Sequence, residues 1–320
     1  MAIKKIGIGK FTVFNNISVN TGDGINVIIG DNGTGKTHLL KLIYAIWIGG
    51  NEDYFDFERL FGKNGNNTNF SYYRKPIKED LYHLYITNDE TVTDTYTAAV
   101  ETTALYTPLF IPAKEMLSMS NITRIDDRFS KELAIDKTLT DIIRKAQNIK
   151  PDETPALARK IAEKLERLID GKVFMKEDNS FWVRKNDQTE VSFFMEAEGF
   201  RKFGLLWQLI MNESITKDTV LLWDEPEANI NPRQIPDLVE IMLELSRNGV
   251  QMFIATHDYF LAKYIEVLSD VDDAVVFHSL YKTKDGVKCE SDDRFSTLIN
   301  NDIVAEKIRL YETEIEKVAQ

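Results

Sequence analysis

Gly30-Asp31-Asn32-Gly33-Thr34-Gly35-Lys36-Thr37 is the stretch that decides how this chain is read. It has the form GxxxxGK[ST], in which glycines let the backbone wrap closely round a chain of phosphates. Its flanks agree with that reading. Ile25-Asn26-Val27-Ile28-Ile29 is an apolar, β-branched run that predicts a buried strand. From His38 to Ile48 the apolar residues Leu39, Leu40, Leu42, Ile43 and Ile46 recur at helical spacing. A helix starting there offers unpaired N–H groups and the positive end of its dipole to phosphate. Gly30 to Thr37, with His38 behind them, are the expected nucleotide-binding set. Lys36 is expected to reach the β- and γ-phosphates, and Thr37 to hold Mg²⁺ through its hydroxyl.

A second motif lies far downstream. Val220-Leu221-Leu222-Trp223 leads into Asp224-Glu225-Pro226-Glu227. Four apolar residues put Asp224 at the carboxyl end of a buried strand, which is the ligand edge of a parallel sheet. Asp224 is the expected partner of the Mg²⁺ shell, and Glu225 is placed to activate water for in-line attack. Met252-Phe253-Ile254-Ala255 repeats the pattern and ends in Thr256-His257-Asp258. His257 is expected to contact the γ-phosphate and sense its presence. The catalytic set is thus Lys36, Glu225 and His257, with Thr37 and Asp224 as metal ligands.

These motifs, in this order and approximate spacing, resemble the ABC-type ATPases of the non-transporter kind, the RecF-like, SMC-head and above all OLD-like ATPases. The resemblance covers nearly the whole chain and implies ATP and Mg²⁺ as ligands and a homodimer that sandwiches ATP. It implies a signature loop completing the ATP site of the opposite subunit. Glu196-Ala197-Glu198-Gly199-Phe200-Arg201-Lys202 occupies that place. Gly199 fits, but Ala197 replaces the usual serine and Glu198 sets a negative charge where phosphate should dock. Backbone N–H groups and Arg201 or Lys202 are expected to compensate. In the Q-loop position, Phe110-Ile111-Pro112-Ala113-Lys114-Glu115 has no glutamine, leaving Lys114 or Glu115 to serve. Phe11 and Phe14 are candidates for stacking on adenine, and Asn229 to Asn231 match the D-loop.

The expected fold is an α/β P-loop NTPase, an ABC-ATPase head with a mostly parallel central sheet, an antiparallel β-lobe and an inserted helical lobe. Residues 1–320 form one ATPase domain: 1–112 the glycine-loop half with its β-lobe, 113–198 the inserted lobe, and 199–320 the half with the signature helix, Asp224-Glu225 and His257. Leu81 to Thr87 and Thr91 to Leu109, rich in Tyr, Thr and Val, predict antiparallel strands of the lobe. Lys63-Asn64-Gly65-Asn66-Asn67 reads as an exposed loop. Pro155 to Ile169 predicts an amphipathic helix stopped by Gly171. Residues 172–195 read as short strands with turns near Asp178-Asn179 and Asn186-Asp187, and a terminal helix runs from about Asp302 to Val318.

Bulk properties narrow the functions. No apolar run approaches the ~20 residues of a membrane span, and no signal peptide is evident at the start, so a cytoplasmic protein without a membrane partner is expected. One cysteine, Cys289, excludes an internal disulfide or a cysteine-cluster metal site. A net charge of −12 argues against nucleic-acid binding through bulk electrostatics. It leaves open a local basic strip drawn from Lys4, Lys5, Lys10, Arg184, Lys185, Arg201 and Lys202. Asp270, Asp272 and Asp273 form an acidic cluster read as a solvated loop. With no room for a nuclease domain, a separate effector protein is expected, in DNA maintenance or anti-phage defence. The competing readings are the motor subunit of a transporter, and a kinase or GTPase. For the last, Thr283-Lys284-Asp285-Gly286 resembles a guanine-motif fragment but reads better as a hairpin turn.

Overall fold

The computed structural model describes residues 3–9, 11–49, 60–61, 71–78, 81–87, 98–102, 106–124, 135–155 and 157–318. The chain opens with β1 (Ile3–Ile8), β2 (Ile17–Asn20) and β3 (Ile25–Gly30), then enters α1 (Lys36–Gly49). Strands β4 (Ser71–Lys78), β5 (Leu81–Thr87), β6 (Ala98–Thr102) and β7 (Thr107–Ile111) follow. The middle of the chain supplies α2 (Lys137–Ala146), α3 (Ala158–Ile169), β8 (Gly171–Met175), β9 (Phe181–Lys185) and β10 (Glu190–Ser192). Next come α4 (Glu198–Met211), β11 (Thr219–Asp224), α5 (Ile235–Arg247), β12 (Gln251–Ala255) and α6 (Tyr259–Leu268). Strands β13 (Val275–Thr283) and β14 (Gly286–Asp292) and helix α7 (Asp302–Val318) complete it.

The central sheet has the order β14-β13-β3-β12-β11-β7, parallel except for β14 at one edge. β3, β11 and β12 are buried along their whole length, as strands covered on both faces must be. Alternate residues face opposite layers. Val27, Ile29, Leu221, Trp223, Met252 and Ile254 share a core with α2 to α6. Ile28, Val220, Leu222, Phe253 and Ala255 share another with α1, β1 and β2. The antiparallel lobe has the order β2-β1-β6-β5-β4, and β10-β9-β8 form a third small sheet.

Three expectations need correction. Thr107 to Leu109 does not belong to the antiparallel lobe, because β7 lies parallel to β11 at the edge of the central sheet. Its Leu109-Phe110-Ile111 run is buried against both cores, which outweighs the Tyr/Thr-rich composition before it. Helix α3 is stopped by Asp170, which takes the left-handed conformation (φ 52), while Gly171 opens β8. A Cβ at Gly171 would meet the Arg184 carbonyl oxygen at 2.2 Å, so glycine is required there by the close approach of β9. Helix α4 begins at Glu198, five residues before the apolar run that starts at Phe203. The turns at Asp178-Asn179 and Asn186-Asp187 fall where expected, and Thr283 to Gly286 closes the β13–β14 hairpin. The Lys63–Asn67 loop and Lys10 lie outside the described residues.

Candidate functional site

Two halves meet at the carboxyl ends of β3, β11 and β12. The first is the glycine loop. Gly30, Gly33 and Gly35 have φ of 146°, 77° and 93°, a region that side chains disfavour. Space makes the same demand at two of them. A Cβ on Gly30 would meet the Leu280 carbonyl oxygen at 2.3 Å, and one on Gly35 would meet the Phe14 ring at 2.6 Å. Thr34 ties the loop by donating from Oγ1 to the Asp31 carbonyl at 2.8 Å. The Lys36 ammonium folds back over the loop, donating to the Gly30 carbonyl at 2.7 Å and the Asp31 carbonyl at 3.1 Å. Burial draws its pKa below the ordinary lysine value, against the pull of Glu225, Asp224, Asp31 and Glu227. His38 turns its ring edge toward Phe61, 6.0 Å between centroids, so its side chain packs on the flank of α1.

The second half is the turn after β11. Asp224 is buried at the strand end, and Thr37 Oγ1 donates to its two carboxylate oxygens at 3.1 and 2.9 Å. Desolvation raises the Asp224 pKa, while the Thr37 hydrogen bond opposes that rise. A hydroxyl and a carboxylate meeting across 187 residues of chain form an oxygen donor set suited to a hard divalent cation. Glu225 takes a left-handed backbone (φ 45), and its N–H donates to the Ala255 carbonyl at 2.8 Å. This strained corner turns the Glu225 side chain toward His257, whose Nδ1 lies 3.1 Å from Glu225 Oε1. Thus Lys36, Thr37, Asp224, Glu225 and His257 come together in one place.

Three residues not singled out in the sequence join them. Glu227 is buried behind the turn and accepts from Thr256 Oγ1 at 2.6 Å, while its Oε2 has no partner. Burial pushes its pKa to about 7. Only its acidic type in the DEPE run hinted at this. Lys282, just beyond the β13 residue that pairs with Gly30, donates to the Asn32 carbonyl at 3.1 Å. Its signal is the parallel register of β13 with β3, which sequence does not display. Ile303 comes from α7, which faces the loop across an open cleft of about 400 Å³ with Gly30, Asp31, Asn32 and His257 on its other wall.

Other expected residues are employed differently. Lys202 is buried and donates to the Glu225 carbonyl at 2.9 Å, so it braces the turn and is not free to reach a phosphate across an interface. Arg201 pairs with Glu115 at 3.2 Å. Glu115 is buried, and its carboxylate also accepts from the backbone N–H groups of Leu117 and Ser118, capping a short helical turn. That occupies one of the two Q-loop candidates; Lys114 is exposed. Phe11 and Phe14 are both buried, Phe14 beneath Gly35 and Phe11 edge-on to Phe61 at 5.0 Å, so both are core and not adenine platforms. Gly199 is buried at the start of α4, where a Cβ would meet the Asn229 carbonyl oxygen at 3.0 Å. The basic strip is not assembled either. Lys4 pairs with Asp23, Lys185 with Glu196 and Arg184 with Glu190. Asp270 and Asp273 bind Arg247 at 2.8 and 2.7 Å, which accounts for most of the acidic cluster.

Residues 107–263 match the family described as "AAA domain, putative AbiEii toxin, Type IV TA system". Short stretches resemble curated proteins. Over 44 residues the chain is 46% identical to the DNA replication and repair protein RecF of Clostridium botulinum (strain Eklund 17B / Type B), covering 14% of this chain and 12% of RecF. Over 58 residues it is 38% identical to the L-cystine import ATP-binding protein TcyN of Bacillus subtilis (strain 168), covering 18% of this chain and 20% of TcyN. The chain therefore matches a fifth or less of the length of these relatives. Among solved structures, an SMC head bound to the C-terminal winged-helix domain of ScpA has a TM-score of 0.51 at 12% identity, covering 91% of this chain and 98% of that one. The SMC head with an extended coiled coil, bound to the C-terminal domain of ScpA derived from Pyrococcus furiosus, has a TM-score of 0.50 at 10% identity, covering 98% and 99%. Residues 107–263 thus match an AAA domain, the fold is that of an SMC head, and the loop before α1 has the P-loop form GxxxxGK[ST].

Proposed function

We propose that this ATPase is a nucleotide-switched dimer that holds ATP–Mg²⁺ at the junction of the glycine loop and the β11 turn. The observation that carries the reading is the hydrogen bond from Thr37 to Asp224, with Glu225 and His257 immediately beside it. Thr37 and Asp224 would hold Mg²⁺, which when bound neutralises charge on the phosphate oxygens. Gly30 to Lys36 would bind the phosphates, once Lys36 exchanges the Gly30 and Asp31 carbonyls for phosphate oxygens. Glu225 would accept the proton of the attacking water, and His257 would hold Glu225 in place while meeting the terminal phosphate. The strained φ at Glu225 supports an aimed side chain over a chance surface acid. Gly199, with the exposed Ala197 and Phe200, would face the nucleotide of the second protomer.

The role we assign is in DNA maintenance or defence against phage, with a separate effector protein. The RecF stretch and the AAA-domain match support that choice. The transporter-motor reading has the TcyN stretch in its favour. No helix among the described residues is long and apolar enough to cross a membrane. Co-purification from the native host with a membrane protein would favour the motor. The central test is Glu225→Gln. It should retain ATP, lose roughly 10²–10⁴-fold in hydrolysis rate, and accumulate as an ATP-bound dimer. Hydrolysis at the wild-type rate would remove Glu225 from the role of base.

A further inference from the structure

Helix α7 ends the described chain in an unusual way. Its first turns lean on the body, with Ile303 and Val304 against the core and Lys307 over the rings of Tyr259 and Phe260 at 5.5 and 5.6 Å. From Ile308 to Val318 every residue is exposed. That segment is about 16 Å of helix at 1.5 Å per residue. Eleven residues of isolated helix are marginal in water, because helices of that length draw their stability from packing an apolar face. An apolar face is present beyond Lys307, and among the described residues nothing covers it. Ile308, Tyr311, Ile315 and Val318 are spaced three, four and three residues apart. Ile308, Tyr311, Ile315 and Val318 are 53%, 53%, 69% and 88% exposed. Alternation of four and three is the heptad rule of a two-helix seam, with Ile308 and Ile315 at a and Tyr311 and Val318 at d. The α7 residues that line the cleft, Asp302, Ile303, Glu306, Lys307 and Leu310, centre on a stripe roughly a third of a turn from the seam.

We infer that this seam pairs with α7 of a second copy of the chain, in parallel, and that the pair exists without nucleotide. The charges beside the seam select that occupant. Lys307 falls at a g position and Glu312 at the following e position. In a parallel pair in register, each Lys307 meets Glu312 of the other copy, an attraction made twice by the symmetry. About two heptads form a weak coiled coil alone, but here each is fixed to a folded body. One consequence rests on the proposed function. A pair joined at α7 makes closure on ATP intramolecular, which raises the effective concentration of one signature surface near the other. That offsets the missing serine at Ala197 and the charge of Glu198. The pairing itself does not depend on ATP-driven closure.

The experiment is sedimentation equilibrium of the full chain in the micromolar range without nucleotide, beside the double variant Ile308→Glu, Ile315→Glu. The wild type should be a dimer, and the variant should dissociate with a constant raised at least roughly 100-fold, as expected for charging two buried apolar anchors. Both positions are exposed in the protomer, so the variant should keep wild-type circular dichroism and ATP affinity. Orientation is read from Val318→Cys in a Cys289→Ser background, oxidised with copper-phenanthroline, which should give disulfide-linked dimer. A wild type that is monomeric without nucleotide, a double variant that remains dimeric, or absence of the Val318→Cys cross-link would each overturn the inference.

Discussion

Glu227→Gln should make the protein more stable, by a margin that opens above about pH 4.5 and is complete above about pH 7. The carboxyl is buried behind the β11 turn, with one oxygen hydrogen-bonded to Thr256 and the other without a partner. Desolvation is the largest influence on it, and the Thr256 hydrogen bond only partly opposes the rise of its pKa from 4.5 to about 7. In the unfolded chain the group ionises near 4.5, while in the folded chain it keeps its proton to about 7. Between those values the unfolded state binds fewer protons, so stability falls as pH rises. At 1.36 kcal/mol per tenfold change in proton affinity, the loss above pH 7 is roughly 3 kcal/mol. Glutamine copies the shape and the Thr256 acceptor but cannot ionise. The assay is urea unfolding of both proteins from pH 4 to pH 8. The variant should match the wild type near pH 4.5 and exceed it by up to roughly 3 kcal/mol by pH 8. A difference of constant size across that range, or one that favours the wild type at high pH, would refute the reasoning.

His278 carries the opposite dependence. Burial lowers its pKa to about 4, and it sits between Ser291 at 2.8 Å and Asn26 at 3.2 Å. The folded state refuses a proton that the unfolded state accepts below about 6.5, so stability falls as pH drops through that window, again by roughly 3 kcal/mol. His278→Gln should abolish that acid-side loss in urea titrations, and a variant that keeps the same acid slope would refute the assignment. Because Glu227 gains stability over the same descent, the wild-type profile from about pH 4.5 to 6.5 should be nearly flat, each variant exposing the other group. Lys282→Ala should leave stability within about 0.5 kcal/mol, since the side chain is exposed. It should weaken ATP binding roughly tenfold, the equivalent of one charge-assisted hydrogen bond. Unchanged affinity in an ATP titration would confine Lys282 to bracing the Asn32 carbonyl.

What could be read in the sequence was what depends on near neighbours. Strands buried on both faces appear as unbroken apolar runs, and the polar residue that ends each run is then at the sheet edge. That is why Lys36, Asp224 and His257 were all placed without a structure. Partners across the chain were not legible. Arg201 and Lys202 look like free cations in a helix start, yet one is claimed by Glu115 and the other by the Glu225 carbonyl. Glu227 looks like any acid in a turn until its burial is known. Phe14 near a glycine loop suggests stacking on a base, whereas its ring fills the space that Gly35 leaves open. The misplaced strand β7 shows the same limit from another side. Composition marks Thr107 to Ile111 as β-forming but is blind to which sheet will recruit it.

Several long-range contacts converge on the turn from Asp224 to Asn231. Its Glu225 N–H is held by the end of β12, and its Glu225 carbonyl by Lys202 of α4. Its Glu227 is held by Thr256, and its Asn229 lies against Gly199 at the first turn of α4. Contacts of this kind leave little freedom for one part to move without the others, since packed interiors are close to incompressible. The start of α4 is the surface proposed to meet the second protomer, and Glu225 is the proposed base. A displacement of α4 at that interface therefore reaches Glu225 through one lysine and one carbonyl. Lys202→Met, which keeps the buried stem and removes the ammonium, isolates that link. It should lower hydrolysis while leaving ATP affinity intact, because the glycine loop and Thr37 do not touch it. Loss of binding and hydrolysis in equal measure would mean that Lys202 supports the fold of the turn and carries no coupling.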